Sequence, residues 1–251
     1  MARIKFDDIR LFALDILFPS RCPFCGEFIM WNELCCDMCR GTLASANDVI
    51  CRKCGQDKCR CDKESYAFDM VYGSYFFDEP PVKSAVYRFK HEGEGGLAEL
   101  SAADIAERLI AEKTPLPDFI VPVPMGRRKR IARGHNQAEL FGKSLSKALG
   151  IPMRRDILFK HDTKDEQHLH TEKERRERVK DLFYGGSENL SGKRILLCDD
   201  VMTTGSTLNR CAEILKDAGA ESVIAAVCAV TRLKGHNSSD KNTSERSNAP
   251  A

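Results

Sequence analysis

The sequence predicts an α/β fold with a mainly parallel sheet, preceded by a small cysteine-rich zinc module. Three observations predict it. Nine of the twelve cysteines fall between Cys22 and Cys61. An apolar run, Ile195-Leu196-Leu197-Cys198, leads into two adjacent carboxylates, Asp199 and Asp200, and such a run reads as a strand buried on both faces of a parallel sheet. A small-residue loop follows, Thr203-Thr204-Gly205-Ser206-Thr207. After it come an amphipathic helix with Leu208, Cys211, Ala212, Ile214 and Leu215 on one face, a stop at Gly219, and a second apolar strand from Val223 to Val230.

The length, 251 residues, suits one large domain or a medium domain with a small one. The net charge is only +2, so any contact with nucleic acid has to come from a local patch. A hydrophobic content of 42% is ample for a core. Residues 1–19 read as an amphipathic helix ended at Pro19, with Phe6, Ile9, Phe12, Ala13, Ile16 and Leu17 at helical spacing. Asp7, Asp8, Arg10 and Asp15 interrupt it, which argues against a secretory segment or a membrane span. The expectation is a cytoplasmic protein without membrane insertion, its leading helix packed on the adjoining module.

Residues 20–62 form the cysteine module. Cys22 and Cys25 flank Pro23-Phe24, with Gly26 after them; this knuckle pattern lets two thiolates converge on one ion while backbone N–H groups point at the sulfurs. Cys36 and Cys39 supply a second pair, and Cys51, Cys54, Cys59 and Cys61 supply four more ligands. Eight thiolates suit two tetrahedral sites and leave Cys35 over. The pairs could group in sequence or interleave, and one site with spare cysteines is a further arrangement. Thiolate-only tetrahedra favour zinc, with an iron–sulfur cluster the lesser alternative. Paired CxxC spacing in a cytosolic chain disfavours disulfides. With so few apolar residues the module is expected to need its metal to fold. Phe24, Phe28 and Trp31 are expected to pack beneath the zinc sites rather than stack on bases.

Residues 66–233 should form the second domain. Tyr66–Phe77 reads as strand and turn, Val82–Phe89 as a helix, and Leu97–Ile110 as another. Asp118–Pro124 is a strand ending in a proline-locked turn, and a helix runs from Ala138 to Leu149. Between these lies a basic run, Arg127, Arg128, Lys129, Arg130 and Arg133, then Gly134-His135-Asn136-Gln137. Strand, tight loop and cations suit a pyrophosphate. Lys90 could reach a phosphate as well. Residues 234–251 are polar, rich in Ser and Asn and without periodicity, the composition of a disordered tail.

The loop after Asp200 suits a phosphate. Gly205 lets the backbone approach closely, the hydroxyls of Thr203, Thr204, Ser206 and Thr207 can donate, and a helix N-terminus offers unpaired N–H groups. Two carboxylates beside a phosphate would repel it unless they face neutral donors such as vicinal ribose hydroxyls. The unit therefore reads as a sugar-phosphate site at the carboxyl end of a strand. The Walker A lysine and the GxGxxG fingerprint are both missing.

The stretch Asp199-Asp200-Val201-Met202-Thr203-Thr204-Gly205-Ser206-Thr207 resembles the phosphoribosyl-pyrophosphate (PRPP) motif of type I phosphoribosyltransferases. That resemblance implies PRPP with Mg²⁺ as ligand, Asp199 and Asp200 as the catalytic acids on the ribose hydroxyls, and Val201 to Thr207 around the 5′-phosphate. Val121–Glu139, the Phe18–Cys25 stretch FPSRCPFC and the Arg88–Gly93 segment RFKHEG resemble the ComF family. The family pairs an N-terminal zinc ribbon with a type I phosphoribosyltransferase-like domain and is associated with natural competence. It implies Pro124, Arg128, Lys129, Arg133 and Lys90 as further PRPP contacts, structural Zn²⁺, and single-stranded DNA and competence proteins as partners. A non-catalytic single-stranded-DNA-binding competence factor using the zinc module, with PRPP or a nucleotide as regulatory ligand, is the alternative. Residues 161–183 correspond to the loop that closes over PRPP in type I enzymes. Gln167, Arg175, Val179 and Phe183 are in register with the family pattern, and Arg178 stands where Asn is usual. No residue stands out as a base, and no segment identifies the acceptor.

Overall fold

The computed structural model describes residues 19–30, 32–59, 61–62, 65–93, 95–162 and 182–232. The leading helix, Trp31, the charged segment with Gln167, Arg175, Arg178 and Val179, and the polar tail lie outside the described residues. A short helix, α1 (Asp37–Thr42), and a 3₁₀ turn, Ala46–Asp48, belong to the cysteine module. Then follow β1 (Met70–Phe76), α2 (Pro80–His91), α3 (Gly96–Ala111), β2 (Phe119–Pro122), α4 (Arg127–Arg133) and α5 (Gln137–Leu149). The chain continues through β3 (Leu158–Lys160), β4 (Phe183–Gly185), β5 (Arg194–Met202), α6 (Ser206–Asp217) and β6 (Ser222–Val230).

Four strands make a parallel sheet in the order β1-β6-β5-β2, while β3 and β4 pair antiparallel beside it. The apolar runs of β5 and β6 take the two central places because both their faces are covered. Ile195 and Leu197 face one core with Met202, Leu208, Cys211 and Leu215. Leu196 and Cys198 face the other with Val86, Phe89, Ile105, Phe141 and Leu145. Each such buried side chain contributes roughly 1.5–3 kcal/mol relative to exposure. On the second face α5 approaches β5 closely: a Cβ on Gly142 would lie 2.7 Å from Met153 Sδ and 3.2 Å from Cys198 Sγ.

The ladder that joins β5 to β2 stops at the Cys198–Pro122 pair, whereas the ladder to β6 continues to Met202–Val230. Pro122 has no N–H to donate, and proline is confined to such pairing ends. Val123 N–H donates to the Cys198 carbonyl at 2.9 Å, and there the chain turns off. Beyond it β5 has lost its neighbour on that side, and that is where Asp199 and Asp200 stand.

The cysteine module lies directly against this domain. Cys22, Phe24, Cys35 and Cys39 share a core with Tyr72, Val82, Val86 and Leu97. Phe24 meets Tyr75 edge-on, centroids 5.1 Å apart, and the Arg88 guanidinium donates to the Pro23 carbonyl. The later half of the module closes the outer edge of β1. Val71 N–H donates to the Arg52 carbonyl at 2.7 Å and Gly73 N–H to Asn47 Oδ1 at 3.0 Å. Arg52 lies over the Tyr72 ring, 4.5 Å from its centroid, and pairs with Glu112 at 2.6 Å. Among the described residues no helix is long and apolar enough to cross a membrane.

Candidate functional site

The site is built at the end of β5. Asp199 Oδ1 accepts from Asp200 N–H and Asp200 Oδ1 from Val201 N–H, each at 2.9 Å, so both carboxylates are steered by the backbone that follows them. Asp199 keeps some accessible surface, yet protein atoms crowd its carboxyl. Burial, and after it the Asp200 charge, hold Asp199 well above the usual carboxylate range, against the Asp200 N–H and the Lys90 charge. Lys90 Nζ sits 3.2 Å from Asp200 Oδ2. The cation expected to reach a phosphate is thus held on the acid pair, from the last turn of α2.

That turn is fastened by the segment ahead of α5. His135 Nε2 donates to the Phe89 carbonyl at 3.2 Å, and Gln137 Nε2 donates to the Lys90 carbonyl at 3.1 Å. Asn136 caps α5, its Oδ1 accepting from Ala138 N–H at 3.1 Å, while its Nδ2 donates to the Val123 carbonyl at 3.1 Å. One tripeptide therefore positions the Lys90 turn and the Val123-Pro124 turn together. Sequence reasoning missed these roles. Asparagine before an apolar helix is a cap signal, but the partners of His135 and Gln137 come from 46 and 47 residues away, which no local pattern reveals.

The small-residue loop lies next in sequence. Gly205 caps α6 with a left-handed φ of 76°, and a Cβ there would lie 2.8 Å from Met202 Cε. Thr204 Oγ1 and Ser206 Oγ share a hydrogen bond of 2.9 Å. Thr203 is exposed, and Val201, Thr204, Ser206 and Thr207 are half-buried, whereas Met202 is buried. Met202 thus packs under the loop instead of lining it.

The basic run departs from expectation in form. It is a short helix, α4, rather than a tight loop, begun at Gly126 and ended at Gly134, whose φ is 76°. Arg127, Arg128 and Lys129 are exposed, and Arg133 and Pro124 half-buried. Arg130 pairs with Glu139 at 2.9 Å, and Arg133 donates to Gln137 Oε1 at 3.2 Å. Helical spacing spreads these cations around α4.

The cysteines group in sequence. The sulfurs of Cys22, Cys25, Cys36 and Cys39 lie within 4.8 Å of one another, and so do those of Cys51, Cys54, Cys59 and Cys61. A zinc ion with four thiolates at about 2.3 Å needs sulfur–sulfur distances of about 3.8 Å. Cys25 and Cys36 are at 3.6 Å, and Cys51 and Cys61 at 3.7 Å, so both quartets fit structural zinc. The knuckle backbone favours the thiolate at the first cysteine of each quartet, while Cys25 and Cys39 are held up by burial and by the sulfurs around them, and Cys61 by the sulfurs around it and by burial. Burial raises Cys22, but the N–H groups of Cys25, Cys36 and Phe24 outweigh it and bring the thiol down to about 6. Cys51 comes down to about 7 as the N–H groups of Cys54 and Lys53 outweigh its burial. Cys35 is different: burial, then the Cys22 charge, push it up to about 12, and its S–H donates to the Cys36 carbonyl. It stays a buried thiol beneath the first quartet. Phe24 packs there as expected, but Phe28 is 60% exposed, with Arg21 over its ring.

Four parallel strands, acids at a strand end and a capped loop before a helix define the architecture of a type I phosphoribosyltransferase domain, here fused to two thiolate metal centres. The model of the phosphoribosyl transferase domain matches residues 131–248, and that of the double zinc ribbon domain matches residues 13–70. Competence protein F of Haemophilus influenzae is 29% identical over 218 residues, covering 75% of this chain and 93% of that protein. DNA utilization protein YhgH of Escherichia coli O157:H7 is 27% identical over 206 residues, covering 80% of this chain and 86% of that protein. A purine phosphoribosyltransferase structure from Pyrococcus horikoshii overlaps 53% of this chain and 74% of its own, at 24% identity and a TM-score of 0.35. These findings bear out the resemblance to the ComF family: a double zinc ribbon precedes a phosphoribosyl transferase domain, and proteins named for competence and DNA utilization match 75% and 80% of the chain.

Proposed function

We propose that this protein binds PRPP with Mg²⁺ at the end of β5 and transfers its phosphoribosyl group. One observation carries the reading: Asp199 and Asp200 stand on the stretch of β5 that β2 has left, directly ahead of the Gly205-capped loop that opens α6. The carboxylates accept from the 2′- and 3′-hydroxyls of the ribose. The Thr203–Thr207 loop takes the 5′-phosphate through its N–H groups and hydroxyls. Lys90 exchanges its pair with Asp200 for the pyrophosphate, and Arg128, Lys129 and Arg133 of α4, with the Pro124 turn, flank that group.

In the transfer the bond from the anomeric carbon to the pyrophosphate oxygen breaks, and its electron pair leaves with pyrophosphate. The acceptor's lone pair forms the new bond. The protein's part is to position the groups and to neutralise the leaving group. Bound Mg²⁺ supplies charge neutralisation on the pyrophosphate. Mg²⁺ usually keeps several waters and binds through substrate phosphates, so the ion would arrive with PRPP.

Titration calorimetry with PRPP and Mg²⁺ tests the reading. Saturable binding by wild type that is lost in Asp199→Ala/Asp200→Ala is the expected result; no binding by zinc-loaded wild type overturns it. The names of the relatives, competence protein F and DNA utilization protein, and the exposed cations of α4 favour a second reading. Here the protein serves natural competence by holding single-stranded DNA. That binding should weaken steeply with salt and survive Asp200→Ala, whereas transfer should not.

A further inference from the structure

We propose that the second cysteine quartet is an arm of the phosphate site, so that zinc held by Cys51, Cys54, Cys59 and Cys61 and ligand held by the Thr203–Thr207 loop bind cooperatively. The cooperativity rests on the phosphate reading of that loop; the mechanical link beneath it does not.

The link runs through three side chains. Residues 51–56 close a tight knuckle: Gly55 N–H donates to the Cys51 carbonyl at 2.8 Å and Cys51 N–H to the Gln56 carbonyl at 2.9 Å. Gly55, at φ 68°, backs onto Met202, and a Cβ there would lie 3.0 Å from both Sδ and Cε. The same Cε lies 2.8 Å from where a Cβ on Gly205 would be. The Met202 thioether is therefore wedged between the glycine of the knuckle and the glycine of the loop. Gln56, only 1% exposed, extends its Nε2 to 3.5 Å from the Thr203 carbonyl. Tyr66, a few residues past the last cysteine, donates its hydroxyl to the Thr204 carbonyl at 3.3 Å.

These contacts orient the loop. In a trans peptide the carbonyl and the following N–H point opposite ways, and the chain has no cis peptide bonds among the described residues. Holding the carbonyls of Thr203 and Thr204 from the knuckle side thus turns the N–H groups of Thr204 and Gly205 to the other side. Successive N–H groups presented this way form an anion cradle. Gln56 and Tyr66 are positioning residues for that cradle. The knuckle gives them a fixed base only while its four sulfurs are held together, because none of the described residues 51–59 and 61–62 belongs to either apolar core. Linkage is reciprocal, so a ligand that orders the loop retards loss of zinc from the second quartet.

Hydrogen exchange on the full-length, zinc-loaded protein reads the link without any ligand. Cys59→Ser should speed exchange of the 203–206 amides at least about 10-fold, within the usual range for coupled sites. Residues 195–198 should stay protected, and Cys25→Ser, in the first quartet, should leave 203–206 unchanged. Gln56→Leu keeps all eight sulfurs, so it should retain zinc stoichiometry and still speed exchange at 203–206. Unchanged exchange in both Cys59→Ser and Gln56→Leu, or an equal effect from Cys25→Ser, overturns the proposal. Chelator-driven zinc release then tests cooperativity, with the slower release from the second quartet expected when PRPP and Mg²⁺ are added. If PRPP binds but does not slow it, cooperativity fails. If PRPP does not bind wild type, the phosphoribosyl reading fails while hydrogen exchange still decides the link.

Discussion

Asp199 shows how a group at the candidate site can work against the fold that carries it. Its carboxyl is held above the usual range by burial and by the Asp200 charge, so the ionised form is the costly one in the folded state. The sign follows from linkage. A raised folded value means that the stabilising contribution is complete below the unfolded carboxyl pKa and is lost as pH rises through the folded one. Asp199→Asn keeps Oδ1 to accept from Asp200 N–H and removes the charge. The variant should melt higher than wild type at neutral pH, and the gap should widen with rising pH across that window. It should also fail to bind PRPP, because one of its acceptors for a ribose hydroxyl becomes a donor. Melting curves against pH, with calorimetry on the same samples, check both halves. A variant that melts lower at every pH would show that the acid pair is not strained. The acids and the loop hydroxyls are legible in the sequence because their neighbours in space are also their neighbours in the chain. The pairing of Lys90 with Asp200 is not, since 110 positions separate them and only the packing of α2 against the sheet brings them together.

Among the elements, the turn from β5 into α6 is tightly constrained. Gly205 sits at φ 76° with Met202 behind it and Tyr66 Cε1 3.1 Å from where a Cβ would be. Gly205→Ala forces a side chain into the left-handed region, which costs roughly 1–2 kcal/mol, and displaces the end of a flexible methionine besides. We expect a fall in melting temperature of about 2–4 °C per kcal/mol for a chain of this size, and a loss of PRPP affinity larger than the stability loss accounts for. A drop in stability with affinity intact would mean that the loop's backbone is not the phosphate contact. The sequence shows this element well: an apolar run, a glycine in a small-residue loop and an amphipathic helix each have a distinct period. It shows α4 poorly. Arg127–Arg133 has two glycines at its borders and only Ile131 and Ala132 as apolar residues, and with Ile131 73% exposed there is no buried face to give helical periodicity. A helix without a buried face leaves no hydrophobic pattern to read.

At the scale of the whole molecule the zinc ribbon is a wall of the fold as well as a neighbour of the site. Nine cysteines between Cys22 and Cys61 announce metal centres in the sequence, and the spacing shows the pairs; which pairs share an ion depends on how the chain doubles back, and the structure groups them in order. It also gives the module a second task. An edge strand with unpaired N–H groups is a template for another chain, and the module covers the edge of β1 through Arg52 and Asn47. Asn47 is itself held by Arg52 at 2.9 Å and holds Asp104 at 2.8 Å, so the cover is tied to α3. Removing both zinc ions with a strong chelator should loosen this cover and expose the apolar surface beneath Cys22, Phe24 and Cys39. The expected outcome is self-association, seen as a shift to larger species in size-exclusion chromatography and rising light scattering, steeper at higher protein concentration. Zinc added back early should reverse it. PRPP added to the metal-free protein should not, because a ligand in the Thr203–Thr207 loop covers neither Val71 nor Gly73. A chelated protein that stays monomeric with its sheet intact would mean that β1 is closed without the metals, and that the ribbon's stability comes from its packing on α2 and α3 alone.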